Sequence, residues 1–103
     1  MYKIEFLNTS LDDIKEIVLY ISKELANPKA ALKLTHKIIE TTNSLKDFPY
    51  ARPVYNPIKE LNHEYRTLLV DNYILFYWIN EEEKKVMISR LIYSKRNLDK
   101  MIK

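Results

Sequence analysis

An α+β fold is predicted for this chain of 103 residues on three observations. Residues 2–7 alternate apolar and charged side chains, which is the period of a half-buried strand. Residues 9–46 carry apolar side chains at helical spacing, and residues 63–93 contain three strand-like runs. The order β-α-α-β-β-β, followed by a short helix or tail, places a helical hairpin on one face of a sheet. The length predicts a single domain over residues 1–103.

The first helix follows directly after the first strand. Asn8-Thr9-Ser10 provides N-cap oxygens, and Asp13 stands three residues after Ser10 as a capping-box partner. We expect the helix to end at Asn27-Pro28 because proline cannot continue it. Its apolar stripe consists of Ile14, Ile17, Val18, Ile21 and Leu25.

The second helix is predicted to begin at the same dipeptide. Asn27 can cap it, and Pro28 suits the first helical position, where its missing N–H would be unpaired in any case. Because the link between the helices is so short, they form an antiparallel hairpin. The stripe of the second helix consists of Ala31, Leu34, Ile38, Thr41 or Thr42, and Leu45.

Residues 47–61 read as an ordered crossing loop, because three prolines at four-residue spacing exclude a helix or a central strand. Residues 63–70, 73–80 and 85–93 follow as strands. Asp71-Asn72 links the first two, since both residue types tolerate the positive φ of a two-residue turn. Residues 73–79 are apolar on both sides and are predicted to be the central strand. Leu98, Met101 and Ile102 favour a short C-terminal helix.

Composition excludes several classes of function. The chain has no cysteine, so it has no disulfide and no thiolate ligand or nucleophile, and it has no glycine, which excludes glycine-rich phosphate loops. The two histidines, His36 and His63, are not spaced as metal ligands, so we predict neither a metal site nor a cofactor. No apolar run is long enough to span a membrane, and residues 1–5 carry no targeting signal, so a cytoplasmic protein is expected.

The net charge of +3 and all four arginines lie in residues 51–103. Within this half, residues 94–103 contain four basic side chains and one acidic side chain. A basic end favours an anionic partner, and a solvated tail is the alternative.

Arg66 and Arg90 interrupt apolar strands. An arginine in such a position faces solvent, pairs with an acid or binds an anionic ligand. Guanidinium groups suit phosphate by bidentate geometry, and Tyr65 and Tyr93 lie beside them, where they could stack on bases. The acids proposed as internal partners are Glu5, Glu60 and Glu64.

Glu60, His63 and Glu64 cluster where the second strand is predicted to begin. These side chains could act as general acid and base groups that activate a 2′-hydroxyl for RNA cleavage. A solvated charged run at the start of a strand is the alternative interpretation.

Two stretches of the chain resemble the RelE/ParE toxin superfamily. The first is the pattern YRxLxVxNYxxFY over residues 65–77, and the second is RLIYSKRNLD over residues 90–99. The second stretch is similar to the ParE-type ending, in which a hydrophobic strand runs into a His-Gly-Arg-Arg-Asp-like segment. Here Tyr93-Ser94-Lys95-Arg96-Asn97 takes that place. The resemblance covers nearly the whole chain and implies a toxin encoded beside a protein antitoxin, closer to the ParE-like branch.

The superfamily implies two activities. ParE-like members block DNA gyrase, whereas RelE-like members cut mRNA on the ribosome without metal. The nuclease branch has an arginine where this chain has Ile74 and a second basic residue where it has Leu68, and its C-terminal tyrosine falls near Met101 and Ile102. With fewer cationic groups, less transition-state charge would be stabilised. The resemblance therefore favours a gyrase inhibitor without chemistry of its own.

The resemblance also implies the site residues. A target-binding surface would contain Arg66, Arg90, Tyr93, Lys95 and Arg96. In the alternative, a ribosome-dependent mRNA endonuclease, Arg66, Arg90, Tyr93 and Arg96 would form the active site. A third reading is a non-toxic member that only binds the antitoxin. An antitoxin segment that folds on binding would cover exposed apolar residues of the helical hairpin, and Leu11, Val18 and Leu32 are the candidates.

Overall fold

The computed structural model describes residues 1–57 and 60–95. Two helices and four strands make up its regular structure, with a π-helical turn after the first helix and a 3-10 turn after the second. The elements in chain order are β1 (Lys3–Phe6), α1 (Asn8–Leu19), the π turn (Tyr20–Glu24), α2 (Pro28–Asn43), the 3-10 turn (Ser44–Lys46), β2 (Arg66–Val70), β3 (Tyr73–Asn80) and β4 (Lys85–Tyr93).

The four strands form one sheet in the order β1-β4-β3-β2. β1 runs parallel to β4, whereas β4, β3 and β2 are antiparallel neighbours. The α+β fold and the element order predicted from the sequence are confirmed. The predicted C-terminal helix or tail lies outside the described residues.

Apolar residues pack on both faces of β3, as predicted for the central strand. Leu75 and Tyr77 belong to the main core between the sheet and the helices, together with Leu34 and Ile38 of α2. Phe76 belongs to a second, smaller core on the opposite face. That core contains Tyr65, Phe76 and Ile92, with Tyr55, Leu61, Ile74 and Trp78 packed against it.

The start of α1 differs from the prediction. The helix begins at Asn8, its N-cap is Leu7, and no side chain caps it. Ser10 lies inside the helix, is fully buried and donates to the carbonyl of Leu7 at 2.7 Å. The Leu7 N–H donates to the Ile88 carbonyl on β4, and the chain enters the helix three residues earlier than a Ser10 cap requires. The predicted capping box is wrong, and Asp13 binds a different group, described below.

The connection between the helices contains a residue of unusual conformation. After the π turn, Ala26 adopts φ 48°, which is the left-handed region. Asn27 then caps α2 as predicted, since its side-chain oxygen accepts the N–H of Ala30 at 3.1 Å. Asp71, in the predicted two-residue turn between β2 and β3, also has a positive φ, of 53°. With no glycine in the chain, other residues occupy these positions.

β2 begins at Arg66 rather than at residue 63. The proline-containing loop lies along its outer edge, where Val54 bridges to Arg66 and the Thr67 N–H donates to the Pro53 carbonyl at 3.2 Å. The residues before Arg66 leave the strand, and the His63 ring lies flat on Trp78. A membrane-spanning helix is not found in residues 1–57 or 60–95.

Candidate functional site

Arg90 is held by an aspartate of the first helix. Its Nε donates to Asp13 Oδ2 at 2.7 Å and one terminal nitrogen donates to Oδ1 at 3.1 Å, while the Leu91 N–H also donates to Oδ2 at 3.0 Å. Both side chains of the pair are largely buried. The partners proposed from sequence for Arg90 are therefore wrong, because Asp13, rather than Glu5 or Glu60, accepts its hydrogen bonds.

Arg66 is held by the proline-containing loop and by a neighbouring acid. It donates to the carbonyl of Arg52 at 2.8 Å and to that of Tyr50 at 3.4 Å, and it pairs with Glu64 at 3.3 Å. Its guanidinium carbon lies 5.1 Å from the centre of the Tyr50 ring. The side chain is only 15% exposed. The sequence-proposed partner Glu64 is confirmed for this arginine.

The two arginines therefore do not form one cationic site. Arg66 is opposite Tyr77 and Arg90 is opposite Phe76, so the backbones flank adjacent residues of β3. The guanidinium groups are bound on the outer sides of β2 and β4, one by the loop and one by α1. Strands two positions apart in a sheet are about 10 Å apart, and the two guanidiniums have no partner in common among the contacts described above.

Tyr93 and Lys95 lie at another end of the sheet. Tyr93 is opposite Tyr73, four residues along β3 from Tyr77, which is a separation of about 13 Å. The Tyr93 ring packs edge-on against Tyr73, with 5.9 Å between the ring centres, and stays 40% exposed. Lys95 is exposed. Arg96 lies outside the described residues, so of the five sequence-predicted contact residues Tyr93 and Lys95 are the two placed near each other.

An open cleft of about 330 Å³ lies where β3 ends beside the start of β2. One wall is aromatic, because the His63 and Trp78 rings stack with their centres 3.7 Å apart and their planes at 2°. The sequence-predicted groups His63 and Glu64 both line this cleft, whereas Glu60 does not. The lining residues are Tyr50, His63, Glu64, Arg66, Trp78, Ile79, Asn80, Glu81 and Glu82.

A hydrogen-bond network surrounds Glu81 at the rim of the cleft. Its carboxylate accepts from the hydroxyl of Tyr2 at 2.8 Å, from that of Tyr50 at 2.5 Å and from the Lys84 ammonium. The Lys84 hydrogen bond, followed by those of the two tyrosines, lowers the pKa of Glu81 to about 2. The same contact with Glu81 raises the pKa of Tyr50 to about 12.

Sequence reasoning missed Tyr50, Trp78 and Glu81 as cleft residues. Trp78 lies in the run of residues 73–79, which is apolar on both sides and therefore predicted only packing in the central strand. Tyr50 and Glu81 lie in segments far apart in sequence, so only the folded chain joins them.

Metal ligands are not grouped in the part of the chain that the structure describes. Within residues 1–57 and 60–95, no three histidine, aspartate or glutamate side chains lie close enough together to hold an ion. His36 is exposed on α2, far in sequence from His63 in the cleft.

Apolar side chains are exposed on the outer face of the helical hairpin. Leu11 is 48% exposed and Leu32 is 60% exposed, whereas Val18 is half-buried. Seven residues make about two helical turns, so Leu11 and Val18 share a face of α1, and Leu32 shares a face of α2 with Ile39. Both helices thus carry an outer apolar stripe that the fold leaves at least partly exposed, Leu11 with the half-buried Val18 on α1 and Leu32 with Ile39 on α2.

Solved structures from toxin–antitoxin systems share this fold. A chain of the chromosomal ParDE system from Pseudomonas aeruginosa aligns with a TM-score of 0.71 and 18% identity, covering 92% of this chain and 98% of that one. A chain of the RelBE2 complex from Mycobacterium tuberculosis aligns with a TM-score of 0.59 and 19% identity, covering 89% and 96%. A chain of the RelE–RelB complex from Pyrococcus horikoshii aligns with a TM-score of 0.60 and 15% identity, covering 93% of this chain and 98% of that one.

The family itself is defined by sequence. Residues 4–98 match the model of the ParE toxin of type II toxin–antitoxin systems. The chain belongs to this family, as its resemblance to the ParE-like branch of the RelE/ParE superfamily implied. No curated protein matches the chain.

Proposed function

We propose that this toxin stops growth by binding DNA gyrase and carries out no chemistry of its own. The observation that carries the proposal is the separation of Arg66 and Arg90. Each guanidinium is already bonded to a different carboxylate of the chain, Arg66 to Glu64 and Arg90 to Asp13. Metal-free RNA cleavage needs cationic groups gathered around one phosphate, and Arg66 and Arg90, bound to different partners, are not gathered in this way.

The surface proposed for target binding is the region around Tyr93 and Lys95. Both side chains are exposed, and they directly precede Arg96 in the chain. Arg66 and Arg90, which the sequence placed in the same contact set, would contribute by holding the loop and α1 in place. An exposed aromatic ring beside basic side chains is typical of surfaces that bind another macromolecule.

Pulse labelling after induced expression tests the target. We expect thymidine incorporation to fall within the first minutes while amino-acid incorporation continues, and purified toxin should inhibit supercoiling by gyrase. In this assay, substitution of Tyr93 and Lys95 by alanine should relieve inhibition. The exposed Phe48 and Lys33, both changed to alanine, provide the matched control away from this surface. Translation that stops before DNA synthesis would contradict the proposal.

One observation favours the second candidate, a ribosome-dependent mRNA endonuclease. His63, Glu64 and Arg66 line the same cleft, so a base, an acid and a cation meet there. If the cleft cuts RNA, substitution of His63 and Glu64 by alanine should abolish toxicity in a folded variant. Under the gyrase proposal the same variant stays toxic. If the wild-type chain inhibits neither DNA synthesis nor protein synthesis, the third hypothesis, a non-toxic member, would be favoured.

We further propose that a cognate antitoxin covers the apolar stripes of the hairpin. The stripe of α2 leaves Leu32 60% exposed and Ile39 50% exposed. A segment that folds on binding would bury these side chains. Leu32→Glu should prevent neutralisation by the co-expressed antitoxin while toxicity remains. Lys33→Glu, an exposed position one residue away, is the control and should stay neutralised. Normal neutralisation of Leu32→Glu would exclude this face.

A further inference from the structure

The open cleft beside Trp78 has the wrong charge for a phosphate. Its lining contributes three carboxylates, from Glu64, Glu81 and Glu82, against a single guanidinium. That guanidinium, on Arg66, donates to two backbone carbonyls and to Glu64, and it is only 15% exposed. A phosphodiester would therefore meet repulsion from the carboxylates without gaining a new cationic partner.

The carboxylates are not equally available to a ligand. Glu81 accepts hydrogen bonds from Tyr2, Tyr50 and Lys84. Glu64 makes one ion pair, at 3.3 Å, and its side chain stays 67% exposed. Glu82 is exposed and makes no ion pair or hydrogen bond with the described residues. Glu82 thus provides negative charge that no described residue pairs with, and Glu64 keeps an exposed carboxylate beside its one ion pair with Arg66.

The wall of the cleft is suited to an apolar stem. The His63 and Trp78 rings stack flat on each other, and Ile79 adjoins them in the lining. Arginine and lysine side chains pack their methylene stems on such surfaces while the charged head reaches polar groups. The volume of about 330 Å³ lies at the lower end of small-ligand pockets, which favours one long side chain over several nucleotides.

We infer that this cleft binds an arginine side chain from a basic segment of a protein partner. The stem would lie along the stacked His63 and Trp78 rings, and the guanidinium would bind the carboxylates of Glu82 and Glu64. Arginine is favoured over lysine because its planar group matches a carboxylate in a bidentate manner. The cleft is separate from the apolar stripes of the hairpin and from Tyr93 and Lys95, so the inference goes beyond the proposed function.

Trp78 provides a direct test, because it is the only tryptophan in the chain and its emission reports on this cleft alone. The full chain is titrated with the peptide acetyl-Ala-Arg-Ala-amide, with the same peptide carrying neutral citrulline, and with a uridine trinucleotide. We expect a saturable change of Trp78 emission with the arginine peptide and binding of the citrulline peptide that is about tenfold weaker. The trinucleotide should bind more weakly than the arginine peptide.

Substitutions of Glu82 and Glu83, which lie in the same turn, distinguish a direct contact with the peptide from an effect of net charge. Glu82→Gln should weaken binding of the arginine peptide by about fivefold. Glu83→Gln, with the same change in net charge but outside the lining, should leave it unchanged. Glu64→Gln is the second variant, and circular dichroism verifies that each is folded.

Three results would overturn the inference. They are equal binding of the arginine and citrulline peptides, equal effects of Glu82→Gln and Glu83→Gln, and the lack of a saturable response to the arginine peptide. Tighter binding of the trinucleotide would instead identify the cleft as a nucleic-acid site.

Discussion

Asp13 and Arg90 join the first helix to the last strand of the sheet. Two hydrogen bonds, of 2.7 and 3.1 Å, run from the guanidinium to the carboxylate. A third, of 3.0 Å, comes from the Leu91 N–H, so the carboxylate also accepts a hydrogen bond from the β4 backbone at a position that β1 does not reach. β1 pairs with β4 only as far as Ile88. Beyond Ile88, the Asp13 side chain of α1 binds the β4 backbone in place of a strand.

Loss of this carboxylate should destabilise the chain. Asp13→Ala is expected to lower the free energy of unfolding by about 2 kcal/mol, because it removes the acceptor of two hydrogen bonds from a largely buried guanidinium and of one from a backbone N–H. Asp13→Asn should lower the free energy of unfolding by about half as much, since the amide oxygen can still accept a hydrogen bond from the Leu91 N–H. Urea unfolding followed by circular dichroism measures both values.

Asp12→Ala is the matched control, because Asp12 is exposed on the same turn of α1. Asp12→Ala should change the free energy of unfolding by no more than about 0.5 kcal/mol. If Asp13→Ala were as mild as this control, the pair would not stabilise α1 against β4.

A buried tyrosine anchors the proline-containing loop. The Tyr77 hydroxyl donates to the Pro49 carbonyl at 2.6 Å, and burial raises the pKa of this phenol to about 12. Tyr77→Phe should lower the free energy of unfolding by about 1.5 kcal/mol, because the carbonyl loses its buried donor. Tyr20→Phe, at an exposed position, should change it by less than about 0.5 kcal/mol. Equal values in urea unfolding would contradict this role of Tyr77.

The left-handed Ala26 is a site for stabilisation. An L-residue in this region costs about 1 kcal/mol that glycine avoids. Ala26→Gly should therefore raise the melting temperature, with a gain of up to about 1 kcal/mol. Ala30→Gly, in the first turn of α2, should lower it by a similar amount, because glycine disfavours helix. A fall in melting temperature for Ala26→Gly would show that the conformation carries no penalty.

The Glu81 network predicts an acid-dependent loss of stability. The pKa of Glu81 falls to about 2 in the folded chain from an ordinary value of 4.5. Because the folded state favours the ionised form, its contribution is complete above about pH 4.5 and is lost as the pH falls through about 2. Stability should therefore decline more steeply over this interval in the wild type than in Glu81→Gln.

NMR titration of the isotope-labelled glutamate carboxyls measures the pKa of Glu81 and tests which hydrogen bond lowers it. Lys84→Met should raise the pKa of Glu81 toward its ordinary value, because the Lys84 hydrogen bond is the largest cause of the shift. Lys85→Met, at the next position, is the control. A Glu81 pKa that stays near 2 in Lys84→Met would assign the shift to the two tyrosines instead.

The elements were predictable where local pattern and packing agree. β3 and β4 have the predicted bounds, because their apolar runs and turn residues need no distant partner. Asn27 caps α2 for the same reason, since a cap involves only neighbouring residues. β2 was predicted three residues too long, because the loop bridge at Val54, distant in sequence, determines where its pairing begins.

The residues that face a partner were only partly predictable. The exposed positions of Leu11 and Leu32 follow from helical spacing, because residues outside the buried stripe face outward. The cleft could not be predicted, since Tyr50, Trp78 and Glu81 come from a loop, a strand and a turn that meet only in the folded chain.

By itself, the sequence determined the order of elements, the central strand and the family, because periodicity and short motifs are local properties. Only the tertiary structure decided that Asp13 is the acid that pairs with Arg90. Asp13 looked like a helix cap, yet it lies 77 positions from Arg90 and binds it across the packed α1 and β4. An ion pair depends on distance in space, and spacing along the chain does not report that distance until the sheet and the helices have packed.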